Sequence, residues 1–268
     1  MKIFRVLPIV IFAWLCISIN AQEQKVGASS QELAKQLSNP VSNLISVPFQ
    51  NNFDFNVGPN KGFNYTLNLQ PVIPVSIAKN WNLISRTIVP VISQNNVYAS
   101  GESEFGLGDV AQSLFFSPKQ PTKGGILYGI GPVLLLPTAT NDLLGIKKWG
   151  IGPTAVILRM QGNWTYGALI NQIWSYAGSG NSDVSITFFQ PFISYSTSNG
   201  MSYSFNSENT QNWNDDMFRG FASVIISKVT QIDKQSIQFG LGPKMFYGNN
   251  LANPEWGIRA IIVLLFPK

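Results

Sequence analysis

Apolar and polar residues alternate along most of the chain after residue 45. From 47 to 57 the odd positions are apolar except Asn51, and the even positions are Pro, Gln, Asn and Asp. Similar alternation recurs over residues 63–75, 164–171, 201–206 and 236–247. Because successive side chains of a β-strand point to opposite faces, each segment predicts a strand with one apolar and one polar face.

All such runs together predict about twelve strands of the length that spans a bilayer when tilted. Their predicted bounds are 46–57, 63–76, 81–93, 106–118, 126–137, 149–160, 164–176, 184–195, 201–213, 217–229, 235–247 and 255–266. The third, fourth, eighth and tenth runs alternate least clearly. A short helix is predicted over 30–39, where apolar residues follow near-helical spacing. It is expected either at the periplasmic mouth or packed on the first strand.

Three observations indicate that the apolar face of these strands contacts lipid and is not buried in a protein core. The polar face carries Asn, Gln, Ser, Thr and Gly, where exposed strands of a soluble protein carry Lys and Glu. The two longest connections, 94–105 and 138–148, fall on the same side. Aromatic residues open many strands, as at a membrane–water boundary: Phe63, Trp81, Trp149, Trp164 and Trp256. The prediction is an all-β fold, an antiparallel transmembrane β-barrel. The alternative is a soluble sandwich whose ends these rings plug.

The N-terminus predicts export. Lys2 and Arg5 precede an apolar run, and Ala21 offers a small residue for cleavage, so residues 1–21 are predicted to be a signal peptide. Residues 22–45 are then a periplasmic segment with the short helix, and 46–268 form the barrel. Cys16, the only cysteine, lies in the signal peptide. The predicted location is the outer membrane, with lipid and the barrel-assembly machinery as partners.

The composition and motifs of the sequence argue against several kinds of catalytic and binding site. The sequence has no histidine, which excludes Ser–His catalysis and zinc sites built on imidazole. Glycine pairs such as Gly106 and Gly108 do not continue into a phosphate-binding motif. The basic residues are scattered, so no nucleic acid is expected as a partner. The sequence therefore predicts a protein that is not an enzyme and has no cofactor or metal.

Charged residues on the polar face are the candidate site. By parity they are Asp54, Arg86, Asp109, Glu208, Arg219, Lys244 and Arg259. Such lumen-lining charges either border an aqueous path or pair with one another and close the lumen. Closure of the barrel requires the first and last strands to pair. An ion pair is predicted between Asp54 and Arg259 where the first and last strands pair, and a second between Glu208 and Arg219.

Several segments resemble a known family. They are LNLQPVIPVSIAKNWNLISRTIVPV at 67–91, GLGDVAQSLFFSPK at 106–119, GPVLLLPTAT and KKWGIGP within 131–153, residues 164–174, and the tail PEWGIRAIIVLLFPK. Together they resemble the outer-membrane family of phenol-degradation meta-pathway proteins, often labelled transporter or, misleadingly, neuromedin U. The resemblance implies a barrel that takes up small, aromatic or hydrophobic molecules. We therefore expect a passive channel or uptake porin for an unknown small-molecule solute. The alternative is a structural or adhesive barrel with a closed lumen and no transport.

Overall fold

Strands form nearly all of the regular structure in this computed structural model, which describes residues 29–180 and 182–267. The predicted signal peptide lies outside these residues. The helix α1 is Ser30–Leu37. The strands are β1 Ile45–Val57, β2 Gly62–Leu69, β3 Val72–Ala78, β4 Trp81–Asn95, β5 Ser103–Leu107, β6 Val110–Pro118, β7 Ile126–Leu136, β8 Lys148–Gln161, β9 Trp164–Gly178, β10 Ser185–Ser196, β11 Met201–Asn212, β12 Met217–Ile232, β13 Gln235–Gly248 and β14 Trp256–Phe266.

The strands close into a barrel. Consecutive spans pair antiparallel, and β1 pairs with β14, so that Ile45 lies opposite Phe266 and Phe55 opposite Trp256. The strands β2 and β3 are two parts of one span, as are β5 and β6. The predicted fold, a closed antiparallel barrel of 12 strands, is therefore confirmed.

Two spans predicted as continuous, 63–76 and 106–118, are interrupted. The first breaks at Gln70 and Pro71, because proline has no N–H for the strand ladder. Its neighbour Gln70 still donates its backbone N–H to the Pro48 carbonyl at 2.9 Å. The second breaks at residues 108–109, where Gly108 donates to the Pro90 carbonyl at 2.9 Å. Both spans keep their place in the wall.

The two ends of the barrel differ in their connections. We call the end that carries α1 and the short turns 79–80, 162–163 and 233–234 the inner end. The other, outer end carries the longer loops 96–102 and 137–147. No helix within the described residues is long and apolar enough to cross a membrane.

The apolar face of the wall points outward and the polar face points inward, which is the reverse of a soluble barrel. On β13, Leu241 is 60% exposed and Met245 is 72% exposed, whereas Lys244 between them is 3% exposed. Phe239 and Leu241 belong to the apolar face that the alternation over 236–247 predicts to meet lipid, and both are exposed on the outside of the barrel. Apolar side chains that cover the outside of a closed barrel match a lipid environment, and the polar face is turned into the lumen.

The helix α1 lies in the lumen at the inner end. The Ser29 side chain caps it by accepting the Glu32 backbone N–H at 3.2 Å. Its buried residues Leu33 and Ala34 pack with Leu44, Val229 and Leu265. The helix ends two residues earlier than predicted. Its contacts with β10, β11 and β12 agree with the expected position at the mouth of the barrel.

Candidate functional site

A glycine between two charges organises the outer half of the lumen. In the barrel wall, Gly257 of β14 lies opposite Lys244 on one side and opposite Asp54 on the other. Because Gly257 has no side chain, the Lys244 amine reaches over it and donates to Asp54 Oδ1 at 2.7 Å. Both side chains are almost fully buried, so this is an ion pair removed from bulk water.

A second ion pair crosses the lumen beside the first. Arg259 Nη1 donates to Glu208 Oε1 at 2.7 Å, although β12 and β13 separate β11 from β14. Arg259 Nε donates to Asn52 Oδ1 at 2.8 Å, and that oxygen also accepts from Lys244 at 3.4 Å. Asn52 thereby connects the two pairs into one hydrogen-bonded network.

The predicted partners of these charges are wrong. Arg259 lies opposite Asn52, while Asp54 lies opposite Gly257, so the predicted pair of Asp54 with Arg259 does not form. Glu208 pairs with Arg259 and not with Arg219. The reason is that sequence reasoning joined only charges on neighbouring strands, whereas these side chains pass over a glycine or across the lumen.

Two phenylalanines complete this layer. The Lys244 Nζ lies 4.5 Å from the ring centre of Phe221 and 4.8 Å from that of Phe246. The guanidinium carbon of Arg259 lies 4.9 Å from the Phe221 ring centre. Cations over aromatic faces are attracted by the ring quadrupole. We call the four charges Asp54, Glu208, Lys244 and Arg259, with Asn52, Phe221 and Phe246, the charged girdle.

An inner cavity of about 250 Å³ lies between α1 and the girdle. Arg86 and Arg259 are the two charged residues of its lining. Arg86 Nη2 donates to the side-chain oxygen of Gln70 at 3.0 Å, and Gln70 in turn donates to Gln50 at 3.1 Å. The cavity is thus cationic and amide-lined on the side formed by β1 to β4.

An outer pocket of about 370 Å³ lies on the other side of the girdle. Its lining joins Glu208 and Lys244 of the girdle to Arg219. The guanidinium carbon of Arg219 lies 5.6 Å from the Phe246 ring centre. Within the described residues, neither Arg219 nor Arg86 has a carboxylate oxygen within 4.0 Å. These two guanidiniums therefore lack the direct ion pairs that Lys244 and Arg259 have.

Asp109 lies apart from the girdle and holds an outer loop. Its carboxylate accepts backbone N–H groups from Ala139 at 3.1 Å, Ile146 at 2.5 Å and Lys147 at 3.2 Å. Tyr98 joins a neighbouring loop to this one by donating to the Leu143 carbonyl at 2.6 Å. Partial burial raises the pKa of Tyr98 above its usual value, so the phenol stays a neutral donor.

The half of the barrel interior next to β6, β7, β8 and β9 is filled with apolar side chains. Phe115 and Ile84, both fully buried, pack with Val41 and with inward residues of β7, β8 and β9. Phe192 of β10 packs against the edge of this cluster and also lines the inner cavity. The space left in the lumen is therefore off-centre, on the side of β10 to β14 and β1 to β4. Within the described residues, no group of three His, Cys, Asp or Glu side chains could hold a metal ion.

Sequence reasoning missed three residues that matter here: Asn52, Gln70 and Gly257. Asn52 and Gly257 have the lumen-face parity of the charges, so alternation alone could have placed them on the correct face. It could not show that Gly257 is the gap through which Lys244 and Asp54 meet. Gln70 was not singled out because the candidate residues were chosen for their charge, and Gln70 is neutral.

Substitution of Gly257 by Ala should displace the girdle. A Cβ at this position would lie 2.6 Å from Asp54 Oδ1 and 2.8 Å from the Phe53 carbonyl oxygen, which belongs to the backbone and cannot rotate away. We expect the free energy of unfolding, measured by urea titration in lipid vesicles, to fall by roughly 1–3 kcal/mol, as is usual for overpacking.

Gly124→Ala is the matched control, because its Cβ would meet only one atom, at 3.9 Å. This control should leave the stability of the barrel within about 0.5 kcal/mol of the wild type. If both substitutions lowered the free energy of unfolding equally, the space above Gly257 would not be needed for the contact between Lys244 and Asp54.

Comparison with known proteins supports the fold. No family model and no curated protein matches the chain. An outer membrane channel from Pseudomonas putida F1 superposes with a TM-score of 0.65 at 15% identity, covering 84% of this chain and 96% of that one. A Salmonella typhi outer membrane phospholipase, a dimer with bound calcium, gives 0.48 at 14% identity, covering 90% and 99%. The monoaromatic hydrocarbon channel CymD gives 0.46 at 9% identity, covering 89% and 91%.

The barrel fold thus matches that of outer membrane channels. The finer resemblance to phenol-degradation meta-pathway proteins stays a prediction, because no family model matches. The prediction that the chain is not an enzyme is corrected. Outer membrane phospholipases are among the matching structures, and whether this chain has enzymatic activity is not established.

Proposed function

We propose that this chain is an outer-membrane channel for the uptake of small, aromatic or hydrophobic molecules. The observation that carries the proposal is the unfilled half of the lumen, where the outer pocket and the inner cavity adjoin opposite sides of the charged girdle. In this proposal residues 1–21 direct export, the assembly machinery inserts the barrel, and lipid surrounds its apolar face.

The lumen charges divide the proposed path into three levels. Arg219 borders the outer pocket, the girdle forms the middle, and Arg86 borders the inner cavity. Apolar residues adjoin each level, with Phe188 in the outer pocket and Phe192 and Ile225 in the inner cavity. Pockets lined mainly by apolar groups with a few convergent polar groups are typical of small-molecule sites.

A closed barrel without transport is the second candidate. The helix α1 and the apolar cluster around Phe115 occupy much of the lumen, and Gln31 of α1 donates to the Asn163 side chain at 3.0 Å at the inner end. Interior side chains alone fill the smallest barrels, and in this wider one α1 and the apolar cluster occupy further space. A measurement of solute permeability distinguishes a channel from a closed barrel.

The test is a liposome-swelling assay with arabinose, glucose and phenyl glucoside as neutral solutes of graded size. We expect swelling above that of protein-free liposomes, because the proposed path runs through the unfilled half of the lumen. Ile225→Trp fills the inner cavity and should slow swelling several-fold. Ile226→Trp is the matched control, because its neighbouring side chain faces outward and is 50% exposed.

The proposal fails if wild-type protein gives no swelling above protein-free liposomes, which is the result expected of a closed structural barrel. It is also contradicted if the Trp at 225 and the Trp at 226 slow swelling equally. In that case the inner cavity would not lie on the path.

A further inference from the structure

The inner cavity carries an excess of positive charge. Its lining includes two arginines, and within the described residues no Asp or Glu belongs to it. Arg259 is already paired with Glu208. Arg86 has only the neutral side-chain oxygen of Gln70 as a hydrogen-bond acceptor among the described residues. Glu208, which is paired with Arg259, also attracts Arg86 but from beyond the 4.0 Å of a direct ion pair. A guanidinium that lines a cavity without a directly paired carboxylate favours an anion beside it.

The opposite wall of the same cavity is mixed, with two apolar side chains among Gln190, Ser194, Ser204, Asn206 and Ser227. The strands β10, β11 and β12 lie across the barrel from β4, which carries Arg86. Phe192 and Ile225 project into the cavity from that wall, and Ile261 and Val263 of β14 extend the apolar surface. A ligand that spans the cavity therefore meets a cation at one end and, at the other, an apolar patch of Phe192 and Ile225 bordered by polar side chains.

From this arrangement we infer that the inner cavity binds amphipathic monocarboxylates, with the carboxylate on Arg86 and the apolar body against Phe192 and Ile225. A guanidinium presents a planar fork of N–H donors that matches the two oxygens of a carboxylate. Gln70 accepts one of these donors and so holds the fork in place. The inference names the solute class of the proposed channel and in that respect rests on the proposed function.

The charge of the ligand should decide binding. A neutral amide of the same shape can contact the apolar patch of Phe192 and Ile225 but gains no charge attraction to the cation. A cationic analogue would meet Arg86 and Arg259 with like charge. We therefore expect the order of affinity to be carboxylate, then amide, then amine, for ligands with one common apolar body.

The probes are 4-phenylbutyrate and its amide, titrated by calorimetry into the full mature chain in lipid nanodiscs, with empty nanodiscs subtracted. Wild-type protein should bind the carboxylate about tenfold more tightly than the amide. Arg86→Gln should remove that preference by weakening carboxylate binding to about the level of the amide. Arg159→Gln is the matched control, because this arginine is exposed on the outside of the barrel, and it should keep the preference.

Equal affinity of wild-type protein for the carboxylate and the amide overturns the inference without any variant, so it stays testable even if Arg86→Gln does not fold. A preference that survives in Arg86→Gln overturns it as well. The channel proposal fails separately. Carboxylate binding that depends on Arg86, together with no liposome swelling, would keep the binding site and reject transport. Swelling without charge preference would keep the channel and reject the site.

Discussion

Lys244→Met should lower the free energy of unfolding of the barrel by roughly 3–5 kcal/mol, the usual cost of removing one member of a buried ion pair. The substitution keeps the length of the side chain but leaves Asp54, which is 4% exposed, without the amine at 2.7 Å. Urea titration in lipid vesicles measures the change. Lys228→Met is the matched control, because Lys228 is exposed on a neighbouring strand, and it should change stability far less.

A double-mutant cycle tests whether the loss comes from the pair itself. Asp54→Asn combined with Lys244→Met removes both charges, so no buried charge is left uncompensated. We expect the double variant to lose less stability than the sum of the two single variants, with a coupling energy of about 0.5–3 kcal/mol. Additive losses would show that Lys244 and Asp54 act independently, and would remove the central argument for the charged girdle.

The alternation of side chains predicted the wall of the barrel well, and for a physical reason. Period-two alternation depends only on the local geometry of a strand, so the bounds of β1, β9 and β13 and the outward face of Leu241 follow from the sequence. Closure of β1 on β14 follows because a barrel leaves no unpaired edge. These features need no knowledge of how distant side chains meet.

The contacts inside the lumen could not be predicted in this way. Alternation places Glu208 and Arg259 on the same face but says nothing about which charges meet across an interior. The path of α1 into the lumen is equally non-local, because it depends on apolar contacts with Val229 and Leu265 from distant parts of the chain. A residue such as Gly257 matters through the side chain it lacks, and composition or spacing cannot show this.

Leu241→Arg should cost roughly 2–4 kcal/mol of barrel stability, because it places a cation near the middle of the lipid-facing surface of β13. Gln238→Arg is the opposite-face control. Its side chain lines the polar inner cavity, so the added guanidinium stays among polar groups, and we expect a smaller loss despite Arg86 and Arg259 nearby. Leu241→Ala separates lost apolar surface from added charge and should fall well below Leu241→Arg. The measurement is the urea midpoint in vesicles of one lipid composition. Equal costs for arginine at 241 and at 238 would mean that the two faces of β13 meet the same environment, which contradicts a membrane-spanning wall.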